Sequence, residues 1–170
     1  YELSIETQRR RELATELRLP DRRFQIPTER IQLSERLGYA VVFSPEGFGS
    51  AVLVPLGYLA AITKRIKLGT RILQVTGRPP AVAISAYQTI NHLTGGNRLI
   101  AGLGSGTPMQ REGFEGRPWG NPVKRMRDYV TLLRQGFAGE PLTHPGAEWS
   151  APYRGPFSQG LEPWKLGLAK

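Results

Sequence analysis

Apolar positions along the chain recur with two periods, and the change from one to the other marks off repeated units. Ala40 to Phe43 is a compact apolar run with two valines, closed by Ser44 and Pro45, and predicts a short buried strand. In Val52 to Lys64, residues Leu53, Leu56, Leu59, Ala60 and Ile62 recur at helical spacing. They predict a helix with Pro55 in its first turn and Lys64, Arg65 and Lys67 complementing its C-terminal dipole. Leu68 to Val75 reads as the next strand. Pro80 then opens a helix through Ala81, Ile84, Tyr87, Ile90 and Leu93 that stops at Gly95-Gly96. A further strand starts at Leu99. After a long loop, Asn121 caps a helix that begins at Pro122, carries Val123, Met126, Tyr129, Val130, Leu133 and Phe137, and ends at Gly139 and Pro141.

The strand starts near Ala40, Leu68 and Leu99 lie 28 and 31 residues apart, each followed by a loop and a helix. All-apolar strands in this alternation predict an α/β fold of parallel strands covered by helices. A doubly wound sheet and a (β/α)8 barrel both satisfy it, and in both the ligand site lies at the carboxyl ends of the strands. Upstream, Ile31, Leu33 and Leu37 mark a partly apolar helix between Pro27 and Gly38, with Gly38 placed as its C-terminal cap. Q-R-R-R-E-L-A-T-E-L-R-L, within Tyr1 to Leu19, predicts a short helix with Leu13 and Leu17 on one face. Leu142 to Lys170 breaks the rhythm with four prolines and with Trp149, Tyr153, Phe157 and Trp164, and predicts an irregular excursion or short hairpin.

The stretch from Arg98 to Gly120, R-L-I-A-G-L-G-S-G-T-P-M-Q-R-E-G-F-E-G-R-P-W-G, is a buried strand passing into a glycine-rich loop. Gly102, Gly104 and Gly106, at alternate positions, leave the strand end with little side-chain cover. Such a surface suits either a flat ligand against the backbone or a plain strand-to-loop turn. A dinucleotide fingerprint fits poorly, because about fifteen irregular residues separate Gly106 from the helix at Pro122, where that motif runs directly into its helix. Walker A and G-x-S-x-G sequences are absent. The carboxylates near strand ends are Glu46 and Glu112, which either face one pocket or belong to solvated loops.

Composition narrows the chemistry. The chain has 170 residues, enough for one domain, of which 39% are hydrophobic. Zero cysteines exclude disulfides and thiolate metal sites, and the two histidines, His92 and His144, are far apart, so no metal is expected. No run approaches the ~18 apolar residues of a membrane span, and the polar start predicts a cytoplasmic protein. Net charge is +9. Through Leu37 eight arginines face seven acids, so nearly all the excess lies downstream, part of it at Arg111, Arg117, Lys124, Arg125 and Arg127. Such a patch draws an anionic cofactor or substrate, or simply keeps a face solvated. Nucleic acid is disfavoured as a partner, because the aromatic residues do not interleave with the basic ones.

Four segments in order, L-G-Y-A-V-V-F-S-P-E-G-F-G, P-L-G-Y-L-A-A-I-T-K-R-I-K-L-G-T, L-T-G-G-N-R-L-I-A-G-L-G-S-G-T-P and E-G-F-E-G-R-P-W-G-N-P-V-K-R-M-R-D-Y-V, resemble the bacterial-luciferase-like family of flavin- and deazaflavin-dependent oxidoreductases. E-G-F-E-G before P-x-x-R-x-R-D-Y-V is similar to the branch that uses coenzyme F420. A-P-Y-R-G-P is similar to a segment between the family's fourth helix and fifth strand. The likeness runs from about Arg30 to Pro156.

The resemblance implies a partial (β/α)8 TIM barrel, about the first four β/α units with parallel strands, over residues 28–139. Residues 1–27 would form a charged, partly helical extension and 140–170 an irregular, proline- and aromatic-rich insertion. It implies F420-dependent hydride transfer to or from a small organic substrate, the alternatives being an FMN-dependent monooxygenase or a truncated, non-catalytic interaction subunit. By position, Glu46 would end the second strand near the cofactor, and Gly104, Ser105, Gly106 and Thr107 would line the ring edge. A non-proline cis peptide near Arg71 and Ile72 would back the ring. Glu46 and Glu112 are the acid-base candidates. A half barrel exposes apolar strand edges, so the chain is expected to be poorly soluble, to dimerise, or to need a C-terminal half. With no methionine at position 1 and no fifth strand, it is expected to be a fragment or a degenerate gene product.

Overall fold

A computed structural model describes residues 12–14, 26–47 and 50–167. The elements in chain order are β1 (Glu12–Ala14), α1 (Thr28–Arg36), β2 (Val41–Ser44), α2 (Leu53–Ile62), β3 (Lys67–Thr70), β4 (Leu73–Gln74), α3 (Pro80–Leu93), β5 (Leu99–Ile100) and β6 (Leu103–Gly104). A π-helical turn (Met109–Phe114), α4 (Pro122–Ala138), β7 (His144–Pro145) and β8 (Ser150–Ala151) follow. The chain divides into two compact units, the first holding the described residues to Leu73 with Thr89–Leu103, the second Gln74–Gln88 with the described residues from Gly104.

The first unit carries a parallel sheet in the order β1-β2-β3-β5, which leaves out β4. This is the α/β architecture of parallel strands that the alternation predicts. Register pairs Val41 with Lys67 and Ser44 with Thr70. Ile31, Val42, Leu56, Leu59, Ile66, Leu68 and Ile90 form the core. Val42 of β2 and Leu68 of β3 are buried in this core against Ile31 of α1, Leu56 and Leu59 of α2 and Ile90 of α3. Gly38, at φ +80°, ends α1 as predicted: its N–H donates to Glu35 O at 3.1 Å, and that of Tyr39 donates to Ser34 O at 3.0 Å. This double bond pattern is a Schellman motif, in which only glycine takes the left-handed position without strain.

Three expectations are corrected here. The helix expected within Tyr1 to Leu19 gives way at Glu12–Ala14 to β1, paired in parallel with β2. Pairing with an existing strand outweighs the helical propensity of a short charged segment, and the rest of that segment lies outside the described residues. Helix α2 stops at Ile62, not at Lys64, because Lys64, Arg65 and Ile66 turn their N–H groups to the Glu35 carboxylate. The strand expected over Leu68 to Val75 breaks after Thr70. Arg71 N–H closes the β2–β3 ladder on Ser44 O at 2.9 Å, and Leu73 N–H starts a new pairing on Gly102 O at 2.8 Å.

In the second unit α4 is the spine. Asn121 caps it as predicted, its side chain accepting from the N–H groups of Val123 and Lys124 at 3.1 and 3.0 Å. Gly139, at φ +72°, ends it. Tyr129, Leu132 and Leu133 are buried along its inner face, and Gly136 lies where a Cβ would meet Ile84. The edge of Tyr87 meets Phe137 with ring centroids 6.0 Å apart. The segment after α4 contains the expected short hairpin: β7 pairs antiparallel with β8, His144 opposite Ala151. Among the described residues, no helix is long and apolar enough to cross a membrane.

Candidate functional site

In the first unit the candidate residues lie at the carboxyl ends of β2 and β3. Ser44 ends β2, is buried, and its Oγ has no hydrogen-bond partner among the described residues. Glu46 follows two residues later and is half-buried. Beyond β3, the Arg71–Ile72 peptide is cis, at the position the resemblance implies. Arg71 is exposed and Ile72 half-buried. Gly102 proves to have a structural reason: a Cβ there would run into the Thr70 carbonyl oxygen. Its bareness serves a close backbone approach.

In the second unit Gly104, Ser105 and Gly106 are half-buried and Thr107 is exposed. Val75 N–H donates to Gly104 O at 3.0 Å, which fixes where the loop leaves the strand. Gly106 has φ +73°, and a Cβ there would sit 2.9 Å from Thr76 Oγ1 and 3.1 Å from Thr76 Cγ2. The loop beyond, expected to be irregular, is ordered by the π-helical turn. Thr107 N–H and Oγ1 both donate to Gln110 Oε1, at 2.8 and 3.1 Å, while Gln110 N–H returns a 3.3 Å bond to Thr107 Oγ1. This reciprocal pairing is the logic of a capping box.

Arg111 holds the loop together. Its guanidinium is buried and donates through Nη1 to Thr76 O at 3.0 Å and to Glu115 Oε2 at 3.3 Å, and through Nε to Pro118 O at 3.2 Å. Glu112 is exposed, and its Oε1 accepts Trp119 N–H at 3.1 Å, which ties that carboxylate to its own loop. Nearby, Arg125 is fully buried, with its guanidinium 4.6 Å over the Trp119 ring and Nη1 3.2 Å from Glu148 Oε2. The basic patch is therefore smaller than the sequence suggests. Arg111 and Arg125 face inward on carbonyls and carboxylates, leaving Arg117, Lys124 and Arg127 exposed.

Asp128 organises the segment after α4. Its Oδ1 lies 2.8 Å from His144 Nε2, and its Oδ2 accepts the N–H groups of Glu148 and Trp149 at 2.9 and 3.2 Å. Burial alone would raise its carboxyl; the bond from His144, the two N–H groups and the charge of His144 outweigh it and hold the group below its ordinary value. Among the described residues, no group of His, Cys, Asp and Glu could hold a metal ion. This unit also has an open cleft of about 450 Å³ between Ala81, Leu142 and the aromatic rings of Tyr153, Phe157 and Trp164.

Thr70, Thr76 and Gln110, which shape these strand ends and loops, are not legible as such in the sequence, and Arg111 is legible there only as part of the basic patch. T-P-M-Q, a Thr and a Gln three apart around a proline, carried the signal for the loop turn. Arg111 and Glu115 at i,i+4 carried the signal for the ion pair.

Parallel strands with hydroxyls and glycines at their carboxyl ends define an α/β chain. The profile of the luciferase-like monooxygenase family matches residues 9–163, and the chain belongs to that family. It is 36% identical over 134 residues to a protein of Mycobacterium tuberculosis named as a coenzyme F420-dependent oxidoreductase, covering 78% of this chain and 38% of the relative. Its fold is similar to that of the coenzyme F420-dependent tetrahydromethanopterin reductase from Methanopyrus kandleri (TM-score 0.66, 23% identity, 82% of this chain, 42% of that one). It is also similar in fold to the oxygenating constituent of 3,6-diketocamphane monooxygenase from Pseudomonas putida, in complex with FMN (TM-score 0.63, 19% identity, 82% of this chain, 40% of that one). The chain spans about two fifths of the length of the curated relatives it matches.

Proposed function

We propose that this chain is the first part of a (β/α)8 barrel oxidoreductase that uses F420 to transfer a hydride to or from a small organic substrate. The observation that carries the reading is the 36% identity to a relative named for F420, within an established family. The sequential order β1-β2-β3-β5 supports a barrel over a doubly wound sheet, whose strand order reverses at a switch point. In the second unit the buried Thr76 hydroxyl, without a hydrogen-bond partner among the described residues, fits a ligand that brings its own hydrogen-bonding edge.

The candidate cofactor residues of the second unit in this reading are Gly104, Ser105, Gly106 and Thr107; Glu46, Arg71 and Ile72 of the first unit are proposed from the resemblance alone. When bound, F420 supplies a two-electron carrier that exchanges a hydride with a substrate carbon. The chain's own part is position and electrostatics. The glycine backbone lets a flat ring approach closely, and Glu46 and Glu112 are the carboxylates assigned to hold or move a proton. FMN is the second reading of the cofactor, favoured by the fold shared with the FMN-bound monooxygenase.

Titration of the purified chain with F420 and, separately, FMN, followed by cofactor fluorescence, tests the proposal. Micromolar saturable binding of F420 is expected. Tighter binding of FMN would move the reading to the monooxygenase, and binding of neither would leave the chain a non-catalytic subunit.

A further inference from the structure

Thr76 presents a buried polar group that the fold itself does not use. Its side chain is 3% exposed, and Oγ1 has no hydrogen-bond partner among the described residues. Valine would fill the same volume without leaving a hydroxyl unsatisfied, so the oxygen is a cost to the ligand-free protein. Its place is nevertheless tightly fixed. The Thr76 carbonyl is held by Arg111 Nη1 at 3.0 Å, and the same guanidinium reaches Pro118 O and Glu115, so one buried cation ties Thr76 to the far part of the loop. On its other side, Thr76 Oγ1 abuts Gly106, where even a single added Cβ would sit 2.9 Å away.

We infer that the Thr76 hydroxyl is a ligand-binding group of the Gly104–Thr107 loop, and that Arg111 is the residue that positions it. The ligand is a flat heteroaromatic ring with an amide-like edge of carbonyl and N–H groups, a chemistry that deazaflavin and flavin share. This rests on the proposed function and adds to it two residues and their separate roles. Thr76 makes the contact; Arg111 acts through Thr76 and the loop.

The two roles separate in a paired measurement of cofactor affinity and ligand-free stability. Thr76→Val removes only the hydroxyl. It is expected to weaken binding of F420 or FMN about tenfold, the equivalent of one hydrogen bond, while the thermal midpoint of the ligand-free chain stays level or rises. Thr76→Ser restores the hydroxyl and should bring affinity back to within about threefold of wild type. Arg111→Lys keeps the charge but loses the three-way fork, and is expected to weaken binding with a smaller loss when the Thr76→Val change is already present. Separate titrations with F420 and FMN identify which ring the hydroxyl meets. Wild-type binding with an unchanged Thr76→Val affinity overturns the inference alone, as does a fall in the ligand-free midpoint of that variant. Failure of the wild type to bind either ring overturns the functional reading and this inference with it.

Discussion

The Thr70 hydroxyl clasps both backbone groups of Gly102: Oγ1 donates to the Gly102 carbonyl at 2.7 Å and accepts its N–H at 2.9 Å. One side chain thus bridges the point where β3 ends and the chain between β5 and β6 passes by, and Leu73 N–H adds a second bond to the same carbonyl at 2.8 Å. A backbone that close leaves no room for a Cβ at position 102.

Gly102→Ala is therefore expected to lower stability by about 3 kcal/mol, the range for forcing a side chain into a packed backbone contact. Thr70→Val, which keeps the shape but strands the Gly102 N–H and takes one of two donors from the Gly102 carbonyl, should cost about 1–2 kcal/mol. Urea unfolding measures both. A midpoint for Gly102→Ala equal to wild type would show that the strand end yields, and that the clasp does not set it.

The same residue shows what the sequence can and cannot reveal. Alternation of apolar strands and amphipathic helices announced the α/β order, and caps with strong local chemistry, Gly38, Asn121 and Gly139, fell where expected because a cap depends on its own few residues. Gly102, Gly104 and Gly106 looked alike in sequence, yet Gly102 is explained by a carbonyl 32 residues away and Gly106 by a threonine 30 residues away. Long-range partners of that kind leave no periodic trace. Buried Arg111 and Arg125 were read as surface charge for the same reason, since composition counts a cation without showing which carbonyls it faces. β1 was missed because a three-residue strand takes its conformation from β2.

Glu35 gives a pH prediction. Its Oε1 accepts the N–H groups of Lys64, Arg65 and Ile66, at 2.9, 2.6 and 2.9 Å. Burial would raise this carboxyl, but the three N–H groups and the charge of Arg98 outweigh it and hold the group below its usual value. A depressed folded-state value means the contribution is complete above the unfolded value of about 4.3 and disappears as pH falls through the lower folded one. Glu35→Gln should cost about 1 kcal/mol at neutral pH, and the gap between variant and wild type should close in acid. A gap that is constant from neutral pH down to acid unfolding would rule out the charge as its source.

Asp128 ties the 140–150 segment to α4 through His144 and the N–H groups of Glu148 and Trp149. Asp128→Asn keeps the volume but loses the charge and one acceptor. The amides of Glu148 and Trp149 are expected to exchange with solvent at least about tenfold faster in that variant, while those of the β2–β3 ladder are unchanged, because opening is local to the released segment. Since the Asp128 carboxyl is held below its ordinary value, the wild-type protection should persist down past about pH 3.9 and then be lost. Equal acceleration in the β2–β3 ladder would mean global destabilisation.

Arg125 and Glu148 form a buried pair whose two members should not be equivalent. Arg125 is fully buried, whereas the Glu148 side chain is 17% exposed and also accepts Asn121 N–H at 2.8 Å. Removing the cation, as in Arg125→Met, leaves Glu148 close to solvent but takes away the Trp119 carbonyl's donor and the charge over the indole. Removing the anion, as in Glu148→Gln, leaves a guanidinium buried with its charge uncompensated. Breaking a buried pair from one side costs about 3–5 kcal/mol, and the more deeply buried partner left behind should suffer more. Glu148→Gln is accordingly expected to be the more destabilising of the two, with Arg125→Met recovering part of the loss through apolar packing. The double variant tests the coupling: if the pair acts as a unit, its cost is well below the sum of the single costs, and strict additivity in urea unfolding would show that Arg125 is held by Trp119 alone.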